Sequence, residues 1–487
     1  MDTLTITDAP LTVEQVVAVV QGASVALSPA VCARIAASRA VVDRALRTGE
    51  AVYGLTTQVG HDRNVRLTEE QIRGEQMFLV MTHAGGFGPP LPTEVVRAAL
   101  LVRLNGIARG GSGASRAVAD VLVSMLNARV HPVVPSTSSV GAGDIGQMAT
   151  MAQVAVGAGR AEHAGEVLPG GEALARAGIA PLPLSGRDGL ALISANGVGV
   201  GHAALVVAHT RRVAVAADLA AALSLDAMAG NPSILDAAVG GAKPIDGQIA
   251  ALDHLRALLD GSDLWAPDDA RSVQDPLSFR VVPQVHGALR EHAAALTRAV
   301  EVELNAATDN PLVSLADQTL ISNGNFDPVL LAIACDALRV AVAHVGRLSE
   351  RRMEHLWTAT LEGLAAPPSG PLFGLALRYP AAAAVQELRQ LAAPATLDVP
   401  SLDRGVEDHG TAAPLSVRQT DRALGVLGDI LAIEVLMARD RLRVADADRT
   451  LGTGTTGLLR TVDRALADVE PTPDAVHAAL RARFPAG

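Results

Sequence analysis

Apolar residues recur at helical spacing over most of this chain. The pattern predicts helices over 11–22, 28–48, 67–83, 93–109 and 114–129, because positions i, i+3, i+4 and i+7 form one buried stripe. Ser28-Pro29 is a start signal. A helix is also expected after Asp144, to about Gly157. Residues 158–186 are rich in Gly and Pro and predict a small hairpin or irregular excursion. Beyond them come long helical patterns over 187–229, 246–260, 281–308, 325–363, 380–393 and 413–442. Loops are expected over Ser272 to Phe279, Thr308 to Asn325 and Pro394 to Ala413, and two short helices about Pro471-Thr472-Pro473. Spans this long predict a mainly α fold, a long-helix bundle with a loop-rich, partly helical N-terminal domain. The expected division is 1–186 for that domain, 187–442 for the bundle and 443–487 for a C-terminal helical cap. Sustained heptads with charged flanks are lacking, so a coiled coil is not expected.

Composition narrows this picture. Hydrophobic residues make up 49% of 487 positions but aromatics only 2%, so the core must be built from Ala, Val and Leu. A formal charge of −11 without a basic block argues against a nucleic-acid partner. Cys32 and Cys335 stand far apart in apolar surroundings, which predicts buried free thiols in a reducing compartment. The first residues carry no hydrophobic signal core, and a cytoplasmic location is expected. The most membrane-like run, Gly189 to Ala208, holds Asn196 and His202 and reads better as a buried helix, so no membrane partner is expected.

Several polar groups do not belong in a plain bundle. Ser138 to Gln147 is a run of small residues ending at Asp144, which reads as an N-cap that sets the glycines over the positive end of a helix. Tyr53 lies between glycine-flanked turns; it is either a packing tyrosine or a chemical one. His83 ends a helix before a glycine run, where it either complements the dipole or faces a ligand. Arg280 stands near a helix start, which suggests a carboxylate partner. Asp309-Asn310-Pro311 is a turn signal, and Glu407-Asp408-His409 reads alone as a solvated charge run. The histidines form no compact metal pattern, and no phosphate-binding loop, dinucleotide fingerprint or G-x-S-x-G elbow occurs.

Taken together, these motifs resemble the aromatic amino acid ammonia-lyase family, and its histidine ammonia-lyases most. The matching stretches run in order from Tyr53-Gly54-x-x-Thr57 through Thr82 to Gly88, Arg103 to Gly106 and Gly110 to Gly113. Gln274 to Arg280, Pro283 to Gly287, Asp309 to Pro311, Gly324 to Phe326 and Glu407 to His409 follow. The resemblance implies a homotetramer with active sites shared between subunits, a small-molecule substrate, and an electrophilic methylidene-imidazolone made from an Ala-Ser-Gly triplet.

Here the chain departs from the family. It reads Ser139-Val140-Gly141-Ala142-Gly143-Asp144, with no serine between Ala142 and Gly143 to dehydrate. Leu277 stands where the family usually has a tyrosine near the leaving amine. The prosthetic group is therefore expected to be absent. A primary amine needs that electrophile, since its N–H groups are more acidic than the β-C–H and ammonia leaves poorly. A quaternary ammonium has no N–H and leaves as a neutral amine. The departures thus suggest a betaine of a histidine-like acid, with ergothioneine fitting best, as in the ergothionases of the same superfamily. The roles implied are Tyr53 as base, its pKa lowered by nearby positive potential, and Arg280 on the carboxylate. His83 and Glu407 would hold the ring, Asn196, Asn310 and Phe326 would line the pocket, and Gly141, Ala142 and Gly143 would shape the ammonium site. An ammonia-lyase with an atypical group, or a catalytically silent paralogue, are the other readings.

Overall fold

A computed structural model describes residues 3–266, 270–364, 371–397, 399–445 and 449–484. Contacts divide the chain into two compact units. Unit 1 comprises Met1–Ala208, Thr297–Ile333 and Ala395–Arg418; unit 2 comprises His209–Leu296, Ala334–Pro394 and Gln419–Gly487. The chain is mainly α, as the patterning predicts.

In unit 1, local caps set the helix starts. Thr12 with Gln15 and Thr68 with Gln71 form capping boxes, and Ser28 caps a helix with Pro29 in its first turn. Four helices matter for the site: α1 (Glu69–His83), α2 (Ile145–Ala155), α3 (Asp188–Ile193) and α4 (Gly197–Met228). The first three pack against one another. The expected hairpin is present, with Arg160–His163 antiparallel to Glu166–Pro169.

Two helical expectations need correction. The span 187–229 is interrupted at Ser194-Ala195-Asn196. There Asn196 Nδ2 donates to the Phe326 carbonyl at 2.8 Å, and the Ala195 carbonyl accepts from Asp144 N at 2.9 Å, so the backbone is held by distant partners instead of its own helix. Likewise the span 281–308 ends at Leu304. The Leu304 carbonyl accepts from Asn105 Nδ2 at 2.7 Å, and the Asn305 side chain exchanges hydrogen bonds with the backbone of Leu11.

Asp144 also differs from its expected part. It precedes α2, yet its side chain makes no bond to that helix. Its carboxylate instead accepts from Gly199 N at 2.7 Å and so caps α4. The turn signal at Asp309 proves to be an anchor: Arg103 clasps its carboxylate with two bonds, at 2.7 and 3.2 Å, and both side chains are buried. The window within Asp188–Met228 that is apolar enough to cross a membrane is 89% buried, as a core helix is. Cys335 is buried as expected, but Cys32 is only half-buried.

Buried polar centres lie within unit 2. Arg352 makes two bonds to Glu434, whose carboxylate also accepts from Ser224 and Ser349. Asp218 accepts from His254, His286 and Arg290. The loop before Arg280 is pinned at Asp275, which accepts from Asn231 N at 2.6 Å, and at Phe279, buried in a cluster with Leu225, Leu252 and Val282.

Candidate active site

The loop 52–66 is wound tightly by its own backbone. The Val52 carbonyl accepts from the N–H groups of Leu55, Thr56 and Thr57. Gly54 has φ +61° and lies so close to Leu190 that a Cβ would stand 2.5 Å from its Cδ2; only glycine fits. The loop then folds back on Tyr53, whose hydroxyl oxygen accepts from Gly60 N–H at 3.0 Å.

His83 closes α1. Its Nδ1 donates to the Leu79 carbonyl at 2.9 Å, which places a proton on Nδ1, and among the described residues Nε2 has no hydrogen-bond partner. Opposite, the strand-like bridge Leu402–Glu407 sets up a turn in which Asp403 bonds His61 Nδ1 at 2.5 Å. Tyr53, His83, Glu407 and Asp403 thereby line one cavity of about 220 Å³, with Gly60, His61, Val59, Leu79, Ile145, Leu190 and Ile193 completing the wall. All eleven residues belong to unit 1. The cavity pairs an apolar wall with a few convergent polar groups, the composition of a small-molecule site.

Electrostatics here corrects one expectation. The Tyr53 phenol is held above its ordinary range, not below it, chiefly by burial and then by Glu407 and Asp403. The Gly60 N–H and Arg63 oppose that rise. Burial and the neighbouring Asp403 also push the Glu407 carboxyl up, while His83 opposes them.

The glycine-rich loop lies beside this cavity. Ile145, which follows it, is in the wall. Ser138 Oγ donates to the Gly85 carbonyl at 2.6 Å, just past His83. Gly141 has φ +85° and is packed against Thr411 and Ala413. Ser139 Oγ donates to the Gly143 carbonyl and accepts from Gly141 N, both at 3.0 Å. Gly141, Ala142, Gly143 and Asp144 carry no hydroxyl, and the one at Ser139 is engaged within the loop, so these residues do not fit a group formed by dehydrating a serine.

The remaining predicted residues are placed differently. Asn196 holds the Phe326 backbone, and Asn310 Oδ1 accepts from Asn323 N at 3.1 Å; none of the three lines the cavity. Their segment is tied to the Glu407 loop through Asp327 and His409 Nε2, 3.1 Å apart. Arg280 lies in unit 2, half-buried, and among the described residues its guanidinium has no carboxylate partner within the chain. A cavity of about 340 Å³ in unit 2, lined by Asp275, Pro276, Phe279 and His355, borders that loop. Asp403 and His61 were not legible as site residues; a turn-rich stretch was the only signal at Asp403.

Comparison with known proteins agrees with the motifs. The sequence profile of the aromatic amino acid lyases matches residues 11–464. A histidine ammonia-lyase of Anaeromyxobacter sp. (strain K) is 41% identical over 461 residues, covering 91% of this chain and 90% of the relative. The crystal structure of ergothionase from Treponema denticola, in complex with desmethyl-ergothioneine sulfonic acid, superposes with a TM-score of 0.92 at 26% identity over all of both chains. Histidine ammonia-lyase from Trypanosoma cruzi gives 0.88 at 29% identity, over 100% of this chain and 94% of that one. The chain belongs to the aromatic amino acid lyases and is a carbon–nitrogen lyase.

Proposed function

We propose that this lyase releases trimethylamine from a histidine-derived betaine, converting ergothioneine to thiolurocanate without a prosthetic group. One observation supports the reading: Tyr53, His83 and Glu407 share a cavity beside a loop that lacks the serine for the electrophile. Tyr53, as phenolate, takes a β-proton. The electron pair of that C–H bond forms the Cα=Cβ bond, and the C–N pair leaves on nitrogen as neutral trimethylamine. The elevated phenol pKa fits such a substrate. Burial disfavours the phenolate, and a fixed positive charge bound next to the oxygen favours it.

His83 and Glu407 bind the imidazole or thioimidazole ring, His83 through Nε2 and Glu407 through its carboxylate. Arg280 holds the substrate carboxylate, in sites shared between subunits of a cytoplasmic homotetramer. Asn196, Asn310 and Phe326 shape the pocket through the segment they brace, and Gly141 to Gly143 border the leaving nitrogen.

The 41% identity to a histidine ammonia-lyase favours a second reading, an ammonia-lyase whose prosthetic group forms by another route. Incubation with ergothioneine, trimethylhistidine and histidine separates the two. Trimethylamine from a betaine is expected; ammonia from histidine alone would overturn the proposal.

A further inference from the structure

The elimination described above gives tasks to Tyr53, His83 and Glu407 but none to Asp403, which lines the same cavity. Its placement is specific. Oδ1 is bonded to His61 Nδ1, and Oδ2 lies over Gly60, where a Cβ would stand only 2.3 Å from it. Gly60 is also the residue whose N–H meets the Tyr53 oxygen. Base and carboxylate therefore flank a single residue. Asp403 and Arg404 hold this turn with positive φ, +46° and +55°, a conformation that side-chain-bearing residues rarely adopt.

The nitrogen of the substrate is bonded to Cα, one atom from the carbon that loses its proton to Tyr53. The Asp403 carboxylate, set against the residue whose N–H meets the Tyr53 oxygen, is the carboxylate of the cavity not assigned to the ring. A quaternary nitrogen donates no hydrogen bond, so only charge and shape can hold it. His61 also lies 3.3 Å from Asp62, and Arg63 stands on the exposed side of the loop. Asp62 and Arg63 are both exposed and of opposite charge, so the charged and titratable groups that line the cavity are Asp403, Glu407, His61 and His83, with Tyr53. Opposite charges a few ångströms apart, away from bulk water, attract far more strongly than they do in solvent.

We propose that Asp403 is the specificity-determining residue of the site, its carboxylate steadied by His61 and set against the quaternary nitrogen of the substrate. This rests on the trimethylamine-lyase reading. The test compares wild type with Asp403→Asn, and with Asp403→Ser should the first not fold. Trimethylamine release from ergothioneine is measured, together with calorimetric affinity for ergothioneine in a Tyr53→Phe background and for thiolurocanate, which has the ring but no nitrogen substituent. Loss of the charge is expected to raise KM and Kd for ergothioneine at least tenfold and to leave thiolurocanate affinity within twofold. Unchanged affinity for ergothioneine, or equal losses for both ligands, would overturn the assignment while wild-type trimethylamine release kept the function standing. A wild type that releases only ammonia from histidine would overturn both.

Discussion

Ser139 spans the glycine-rich loop and donates its hydroxyl to the carbonyl of Gly143. The loop is thus closed by a hydrogen bond across the place where a covalent ring is expected of the family. The intact protein is predicted to weigh what its amino-acid sequence weighs. A deficit of two waters by mass spectrometry would contradict this. Ser139→Ala is predicted to cost about 1 kcal/mol of stability, the usual worth of such a bond, and to leave betaine turnover within tenfold. Complete loss of turnover in a folded variant would make Ser139 a reacting group.

Tyr53→Phe removes the proposed base and little packing. Turnover is predicted to fall by roughly 10²–10⁴, the usual contribution of a general base, with ergothioneine binding retained. Near-normal turnover would refute the role.

The raised phenol pKa has a definite sign in pH profiles. Proton abstraction needs the ionised form, so kcat/KM, which reports the free enzyme, should climb with pH to beyond the ordinary phenol value of about 10. In the complex a bound cation lowers that pKa, so kcat should level off at lower pH than kcat/KM. Coincident profiles would count against a charged substrate nitrogen beside Tyr53.

Arg280 and Tyr53 are proposed to act in one site from different subunits. Arg280→Met should raise KM for the betaine about tenfold or more, as loss of a charged partner does. Mixed tetramers of Arg280→Met and Tyr53→Phe should regain part of the wild-type rate, because some sites escape both substitutions. No regain after verified subunit exchange would place both residues in the same subunit's site.

Asp144 is buried, and burial raises its pKa to about 6 from the ordinary 3.8. The folded protein therefore holds this proton more tightly than the unfolded chain. That contribution to stability is complete below about pH 4 and is lost as pH rises through 6, by up to about 3 kcal/mol. The stability of wild type relative to Asp144→Asn should decline across this window in urea unfolding. A difference independent of pH would mean that Asp144 keeps its ordinary pKa.

Much of the fold was legible because its signals are local. Capping residues such as Thr68 and Ser28 act within one turn of the helices they start, and periodicity reports the buried face. Tyr53, His83 and Glu407 could be singled out because motif order carries them, and the fold brings them to one cavity. What sequence could not reveal depends on partners far along the chain. The break at Asn196 is held by Phe326, and Asp144 caps a helix that begins more than fifty residues later. The sign of the Tyr53 shift is set chiefly by burial, to which Glu407 and Asp403, some 350 positions away, add. Asp403 carries no local signal beyond a turn-rich stretch, because its significance comes from His61 and Gly60, not from its neighbours in sequence.

The contact between Gly60 N–H and the Tyr53 oxygen has one more consequence. It makes the loop a one-donor oxyanion hole for the proposed base: the amide that closes the loop also receives the charge when the phenol ionises. Folding of the loop and ionisation of Tyr53 are then a single variable. Any substitution that slackens the turn at Gly60 raises the phenol pKa and shrinks the phenolate fraction before it removes a contact to substrate.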